Sequence, residues 1–424
     1  MTAIKNRYDC LVVGGGPAGA STAALVAQSG ANTLLLEREK MPRFHVGESL
    51  MPETYWSLER LGVLDKLQSG MFTKKNGVQF VNHEGKESKP FFFREADDRE
   101  CADTLHVQRG DFDKVLFDNA AEKGADCFDE TRVLDIKLQD SGLHQVRVRT
   151  RDGQEVQVEA QVVVDATGQQ AMIASDMQTK QVDPELKKAA IWTYFTDAKR
   201  NESPEPEVTA ILHTNSKKCW FWYIPLSDDT VSVGVVSDND YLLKGRGTPE
   251  QTFHEEWQQC VGIRNRLEGA KQVDKFHVAK EFSYKSKKIA GEGWVLVGDA
   301  YGFIDPIYSS GVFLALKSGE MAADAIVEGF KNDDLSGEQL GSWQQPFESG
   351  VVWIRKLVDA FYTPEFSFGE FMKEFPQHRT NLTDLLVGKV FEGEPGRMFT
   401  DMDPWIESLN SGNSSDSMSA SMSP

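Results

Sequence analysis

YDCLVVGGGPAGASTAALVAQSGANTLLLE, residues Tyr8 to Glu37, decides the fold. Tyr8 to Val13 reads as a buried strand, Ala18 to Ser29 as a helix and Asn32 to Glu37 as a second strand, which together make a βαβ opening. Gly14, Gly16 and Gly19 supply G-x-G-x-x-G at the strand-to-helix junction, with Pro17 and Ala18 inside it. The first glycine makes the turn, Gly16 admits a pyrophosphate to the backbone, and Gly19 permits close packing of helix on strand. Glu37 stands 18 residues beyond Gly19, at the end of the next strand, where a carboxylate can accept hydrogen bonds from ribose hydroxyls. The pattern predicts a bound dinucleotide. It does not separate NAD from FAD, because both present the same adenosine diphosphate half to this turn.

Outward from this unit, Val107 to Gly124 has helical periodicity, and Gln161 to Asp165 reads as a short apolar strand ending at Ala166-Thr167-Gly168. From about Ile191 to Phe282 apolar and polar residues alternate, as expected of an antiparallel sheet in a different lobe. Trp294 to Val297 returns to a buried-strand pattern, and Val312 to Phe330 reads as a helix rich in small residues. The nucleotide domain is therefore expected to be assembled from separated segments. Asn201 to Glu207 is a polar, proline-containing loop, and the serine-rich stretch from Asn410 to Pro424 has little to bury.

Composition narrows the function classes. Asp and Glu outnumber Lys and Arg by 65 to 46, a formal charge of −19 that would repel a phosphate backbone; no basic patch offsets it, so no nucleic-acid partner is expected. The cysteines at 10, 101, 127, 219 and 260 are widely spaced and odd in number, unlike a disulfide framework or a metal site, which points to a reducing, cytoplasmic setting and no metal. No run of about 18 apolar residues suggests a membrane span. A second G-x-G-x-x-G is absent, which argues against a dedicated NADPH domain.

Later motifs resemble those of two-dinucleotide-fold flavoproteins. Gly298-Asp299-Ala300 is similar to their Gly-Asp motif, in which the Asp contacts the flavin ribityl chain. Val164 to Gly168 resembles their strand-end motif, and Arg109 in Val107-Gln-Arg-Gly-Asp-Phe-Asp113 matches their FAD-contacting arginine. The resemblance implies FAD and an α/β fold in which a Rossmann-like FAD-binding domain is interwoven with an antiparallel-sheet substrate lobe, followed by a helical C-terminal region. The expected boundaries are 1–72, 102–185 and 285–335 for the discontinuous FAD-binding domain, 73–101 and 186–284 for the substrate lobe, 336–409 for the helical region, and a disordered tail over 410–424.

Trp220-Phe221-Trp222-Tyr223-Ile224-Pro225 resembles the W-x-W-x-I-P signature of flavin-dependent halogenases. On a strand, Trp220, Trp222 and Ile224 share one face while Phe221 and Tyr223 point to the other. The same residues could be read simply as an aromatic core. Lys74-Lys75-Asn76-Gly77 resembles the lysine-bearing segment of phenol- and pyrrole-type halogenases and places their active-site lysine at Lys75. Asp305 to Gly311, including Pro306, Ser309 and Ser310, resembles the halogenase loop beside the flavin ring. Exposed amides at a helix N-terminus can hold a halide there, although serines in this place also serve as helix caps. Arg43-Phe-His-Val-Gly-Glu-Ser49 resembles the family segment that approaches the flavin; within it, His45 and Glu48 are either site residues or structural hydrogen-bonding groups.

The resemblance implies an oxidoreductase of secondary metabolism in which reduced FAD (FADH2), oxygen and chloride or bromide yield hypohalous acid. That acid travels to Lys75 and halogenates an electron-rich aromatic. Trp220 and Trp222 would partition flavin from substrate, Ser309, Ser310 and Gly311 would hold halide, and a separate NAD(P)H-dependent flavin reductase would supply FADH2. Gly14, Gly16, Pro17, Ala18, Gly19, Glu37, Arg43, Ser49, Arg109, Gly298, Asp299, Pro306 and Gly311 are the expected cofactor-binding residues. Two features depart from the family pattern: Cys219 replaces the glycine of the signature, and Tyr308 stands where tryptophan halogenases carry a glutamate. The second favours a phenol or pyrrole substrate, free or carrier-bound. An FAD-dependent aromatic hydroxylase or flavin-dependent reductase of the same fold is the competing enzymatic reading, and a noncatalytic flavin-binding protein the non-enzymatic one.

Overall fold

A computed structural model describes residues 3–67, 70–95, 97–200, 207–215, 218–364 and 366–420, with side chains described as far as residue 409. Most of the expected Asn201 to Glu207 loop lies outside the described residues. The chain divides into two compact units, Met1–Gln344 and Gln345–Pro424.

The first unit contains two large sheets. At the heart of one lies Arg7–Val13, paired in parallel with Glu155–Asp165 on one side and Thr33–Leu36 on the other. Trp294–Leu296 and Asp126–Phe128 extend this parallel core outward. Strands buried on both faces read as continuous apolar runs, which is why Leu11, Val12 and Leu34 to Leu36 are almost fully buried. Pro17–Gln28 follows the first strand directly, with Gly16 as N-cap and proline in the first turn. Ser310–Asn332, 23 residues long, packs against it through small residues, including Gly319, where a Cβ would come within 2.3 Å of Ser21 Oγ. The fingerprint of the quoted stretch thus corresponds to the observed βαβ unit.

The second sheet is built mainly from Lys188–Thr196, Val208–His213, Trp220–Pro225 and Val231–Asp238, antiparallel to one another. Gly77–Val81 joins its edge in parallel with Val208–His213. One face packs on the helix Pro249–Gln259 through Phe221, Tyr223, Val233 and Phe253. The alternation expected between Ile191 and Phe282 is therefore the signature of a sheet with two different faces. Thr73–Lys75 stands apart as a short ribbon paired with Thr104–His106, so the expected border at residue 102 runs through this two-stranded element.

In the second unit the helices are Gln344–Tyr362, Phe368–Glu374, Arg379–Val387 and Phe399–Ala420. His378 Nε2 lies 2.6 Å from Asp401 Oδ2, and Trp353 stacks on Phe399 at 5.6 Å. The stretch from 410, expected to lack structure, carries helical backbone as far as Ala420; 421–424 lie outside the described residues. Among the described residues no helix is long and apolar enough to cross a membrane, and all five cysteines are free thiols.

Candidate active site

A cavity of about 320 Å³ opens where the first strand meets its helix. Its wall includes Gly14, Gly16, Pro17 and Ala18 from the fingerprint, Glu37 and Arg43, and Asp299, Pro306, Ser309 and Gly311 farther along the chain. Gly14 has φ +111°, and a Cβ there would sit 2.2 Å from the Ala166 carbonyl oxygen, so the turn excludes any side chain. At Gly16 a Cβ would meet only the Arg43 guanidinium, at 3.4 Å, which leaves the backbone open to the cavity. Gly19 and Gly298 do not line the cavity. Gly19 brings the helix onto the Gly14 carbonyl, 1.9 Å from where a Cβ would lie, and Gly298 (φ +57°) turns the chain against Ala18. Both positions are close-packed.

Glu37 is buried and accepts from the Gly15 N–H at 3.0 Å and the Glu39 N–H at 3.0 Å. Arg43 and Arg109 converge on Asp113: Arg43 Nη1 donates to Oδ2 at 2.7 Å, and Arg109 Nε donates to Oδ1 at 2.9 Å. Burial alone would raise the Asp113 carboxyl, but the two guanidinium groups outweigh it and hold it below the ordinary range. Asp113 is the anchor that sequence reasoning missed; its signal was the four-residue step from Arg109 on a helix. Arg109 also donates to the Val46 carbonyl at 2.6 Å, which ties the segment Arg43 to Ser49 to the cavity rim. Burial raises Asp299 to about 6, against the pull of Arg109 and Lys180.

The Arg43 to Ser49 segment divides its side chains between roles. His45 is exposed, with Nδ1 2.9 Å from the Val46 carbonyl. Glu48 is buried on the cavity wall and accepts from Tyr194 Oη at 2.6 Å; burial pushes its carboxyl up and this bond opposes the shift. Ser49 Oγ lies 2.9 Å from Thr209 Oγ1. Ser309 is the N-cap of Ser310–Asn332, in the left-handed region at φ +59°, and its side chain makes no cap hydrogen bond. Ser309 and Gly311 line the cavity, whereas Ser310 is buried outside its lining. Asp305 accepts from the Ile307 N–H at 2.9 Å, which holds the preceding turn.

The tryptophan strand separates its faces as the alternation requires. Trp220, Trp222 and Ile224 line the cavity, while Phe221 and Tyr223 enter the helix-backed core. The choice between core and wall resolves into both, one on each face.

Lys74 is exposed and Lys75 buried, 3 % accessible. Lys75 Nζ donates to the Leu50 carbonyl at 2.8 Å and lies 5.4 Å from the centre of the Phe93 ring; among the described residues no carboxylate pairs with it. Burial lowers this ammonium to about 7. Lys75 is not among the residues that line the cavity.

The glycine cradle, the buried carboxylate at the end of the second strand and the helix N-terminus at the turn suit the dinucleotide FAD, and the class they define is that of the FAD-binding flavoproteins: residues 7–328 match the FAD binding domain family. The chain is 31 % identical over 413 residues to the 1H-pyrrole-2-carbonyl-(peptidyl-carrier protein) chlorinase of Pseudomonas fluorescens, covering 91 % of this chain and 90 % of that one. It is 30 % identical over 399 residues to the corresponding brominase of Pseudoalteromonas luteoviolacea, covering 91 % and 93 %. The solved structure of a flavin-dependent brominase superposes with a TM-score of 0.84 at 27 % identity, over 95 % of this chain and all of that one. The protein belongs to the flavin-dependent halogenases, oxidoreductases that use reduced FAD, oxygen and halide to halogenate aromatic compounds. This decides against the hydroxylase, reductase and noncatalytic readings.

Proposed function

We propose that the protein halogenates a pyrrole or phenol at Lys75, with a carrier-linked pyrrole as the favoured substrate. The observation that carries this reading is Lys75 itself: a buried lysine that, among the described residues, pairs with no carboxylate and donates to the carbonyl of Leu50, next to the cleft-lining Ser49. Bound as its reduced form, FAD supplies the oxygen chemistry that converts halide into hypohalous acid. The chain supplies containment, placement and the halogen acceptor.

Near neutral pH a lysine held at about 7 populates both protonation states. As the amine it attacks the halogen of hypohalous acid: an N–halogen bond forms, the O–halogen bond breaks, and the displaced hydroxide takes a proton from nitrogen and leaves as water. As the ammonium it donates a hydrogen bond to the hypohalous oxygen and polarises the O–halogen bond. Trp220 and Trp222, which line the cleft, are the groups assigned to keep organic substrate off it. Ser309 and Gly311, at the N-terminus of a 23-residue helix, offer amides and a positive dipole end to halide. Asp299, Arg43, Arg109, Ser49 and the fingerprint glycines are the groups assigned to FAD.

The carrier-linked pyrrole is favoured because two relatives covered nearly end to end are named for that substrate. Tyr308 in place of a glutamate supports a substrate other than free tryptophan. The lone dinucleotide fingerprint supports a separate NAD(P)H-dependent flavin reductase as partner, and five free thiols support a reducing, cytoplasmic setting. The test incubates the pure protein with a flavin reductase, NADH, halide and oxygen on a panel of phenols, pyrroles and carrier-linked pyrroles, with products read by mass spectrometry. Halogenated carrier-linked pyrrole is expected, NADPH without the reductase should give none, and conversion of free tryptophan alone would overturn the substrate reading.

A further inference from the structure

A small third sheet stands apart from the two large ones: Lys180–Val182 and Gly302–Phe303 pair antiparallel with Tyr284–Ser286 between them. Two of its side chains reach the backbone of the cleft wall, though neither is among the residues that line the cleft. Tyr284 is buried, and its Oη donates to the Asp299 carbonyl at 2.5 Å. The Lys180 ammonium lies 3.7 Å from the centre of the Tyr284 ring and donates to the Gln169 carbonyl at 2.9 Å. Asp299 and Gln169 both line the cleft, and they follow neighbouring parallel strands, Trp294–Leu296 and Glu155–Asp165. One lysine and one tyrosine thus tie together two loops at the carboxyl ends of the strands, where sheets of this kind bind their ligands.

The arrangement acts on Asp299 in two ways. The turn Gly298–Ala300 is held on one side by Ser318 Oγ, which accepts from the Gly298 N–H at 2.8 Å, and on the other by the Tyr284 hydroxyl. Burial, with the carboxylates of Asp299 and Asp165 nearby, raises the Tyr284 phenol, so it stays a donor, and the cation over its face fixes the ring. The second effect is charge. The cations facing Asp299 are Arg109, at the start of the helix Arg109–Glu122, and Lys180. Arg109 is committed to Asp113 and the Val46 carbonyl, and Asp165 is engaged by the Thr167 hydroxyl and the Ile173 N–H. The printed contacts of Lys180, a ring and a carbonyl, are both neutral, which leaves its charge to act on Asp299.

We propose that Tyr284 and Lys180 are positioning residues for FAD: Tyr284 fixes the turn that carries Asp299, and Lys180 seats Tyr284 and supplies a counter-charge to the Asp299 carboxylate. Both roles rest on the assignment of Asp299 to FAD, in which the ionised carboxylate accepts from a hydroxyl of the cofactor.

The test titrates FAD into the FAD-free full chain between pH 5 and 8.5, with binding read by quenching of flavin fluorescence, for the parent, Tyr284→Phe, Lys180→Met, Lys180→Arg and Asp299→Asn. With the Asp299 carboxyl at about 6, the parent should lose affinity as pH falls through that value, because the protonated group is a poorer acceptor, and Asp299→Asn should lack this acid limb. Lys180→Met removes a cation that lowers the carboxyl, so the limb should move up by about one pH unit and affinity at pH 5.5 should fall by roughly five- to tenfold. Lys180→Arg keeps the charge and can stack on the ring, and should follow the parent within about twofold. Tyr284→Phe keeps the ring and the cation but loses the donor, so affinity should fall by about fivefold at every pH, the weight of one hydrogen bond, with the limb in place. A merely structural lysine would change affinity without moving the limb. A Lys180→Met limb that coincides with the parent's overturns the counter-charge, and parental affinity in Tyr284→Phe at pH 8 overturns the fixing of the turn. If Asp299→Asn binds FAD like the parent at every pH, the assignment of Asp299 fails; if it loses affinity while Tyr284→Phe and Lys180→Met behave as the parent, the two positioning roles alone fail.

Discussion

Trp222 lies across Gly234. The two residues are opposite one another on neighbouring strands, and a Cβ on Gly234 would come within 2.2 Å of the indole. The ring is held along the same edge by Nε1, which donates to Ser232 Oγ at 3.1 Å. A residue without a side chain therefore seats the partition.

Gly234→Ala should displace the Trp222 indole while the strand persists, because alanine fits an extended backbone and the collision is with a side chain. We expect product per oxygen consumed to fall about fivefold or more, as a 1 Å misplacement can cost considerably more than that. Steady-state tryptophan fluorescence of the FAD-free protein should shift as well. Unchanged emission together with unchanged coupling would show that Trp222 does not depend on this seat.

Two fingerprint glycines should fail in different ways. Gly14→Ala places a methyl 2.2 Å from the Ala166 carbonyl at φ +111°, so it should cost stability, about 2 kcal/mol or more, in chemical denaturation of the FAD-free protein. Gly16→Val meets only the Arg43 side chain and should fold normally yet lose FAD, because its methyl groups project into the cleft. Normal FAD affinity in a folded Gly16→Val protein would contradict the cradle.

Lys75 carries a signed pH dependence of stability. Its ammonium titrates near 7 in the folded chain and near the ordinary 10.5 when unfolded, so between these values the unfolded chain binds more protons and stability rises with pH. Below 7 both states are charged and the burial cost is fully felt. Lys75→Met should remove the rise and stabilise the protein at pH 6 by on the order of 2–4 kcal/mol. Denaturation curves at pH 6 and 9.5 measure both; parallel behaviour of parent and variant would place Lys75 in contact with water.

Adjacent lysines give an internal control. Lys75→Ala should bind FAD and consume oxygen yet lose halogenated product by about a hundredfold or more, whereas Lys74→Ala, on the exposed side, should keep parental activity. The observation to make is product by mass spectrometry beside oxygen uptake. Equal activity in both variants would remove lysine from the reaction.

Periodic features were legible in advance, and isolated ones were not. The quoted stretch carried its βαβ unit because the glycine spacing and the apolar runs are both local. Alternation assigned Trp220 and Trp222 to one face and Phe221 and Tyr223 to the other, as observed. The serine loop was only half readable: Ser309 reaches the cavity and Ser310 does not, because the left-handed Ser309 resets the direction of the chain at the helix start. Thr209 and Tyr194 left no trace in the sequence. A threonine in an alternating strand looks like any other, and Tyr194 meets Glu48 across 146 residues of chain. Asp113 was quoted within its motif, but its partnership with Arg43 arises only when the segment after the first βαβ unit folds back.

Glu48 and Ser49 belong to the cleft, and the Leu50 carbonyl belongs to the lysine. The thickness of one backbone, a few ångströms of covalent chain, thus separates the cleft from the carbonyl that Lys75 holds. Such a divider needs no hinge and no closing signal, because it is the chain itself. Its tolerance is correspondingly narrow: deleting a single residue here would reverse the alternation and turn the lysine's carbonyl toward the flavin.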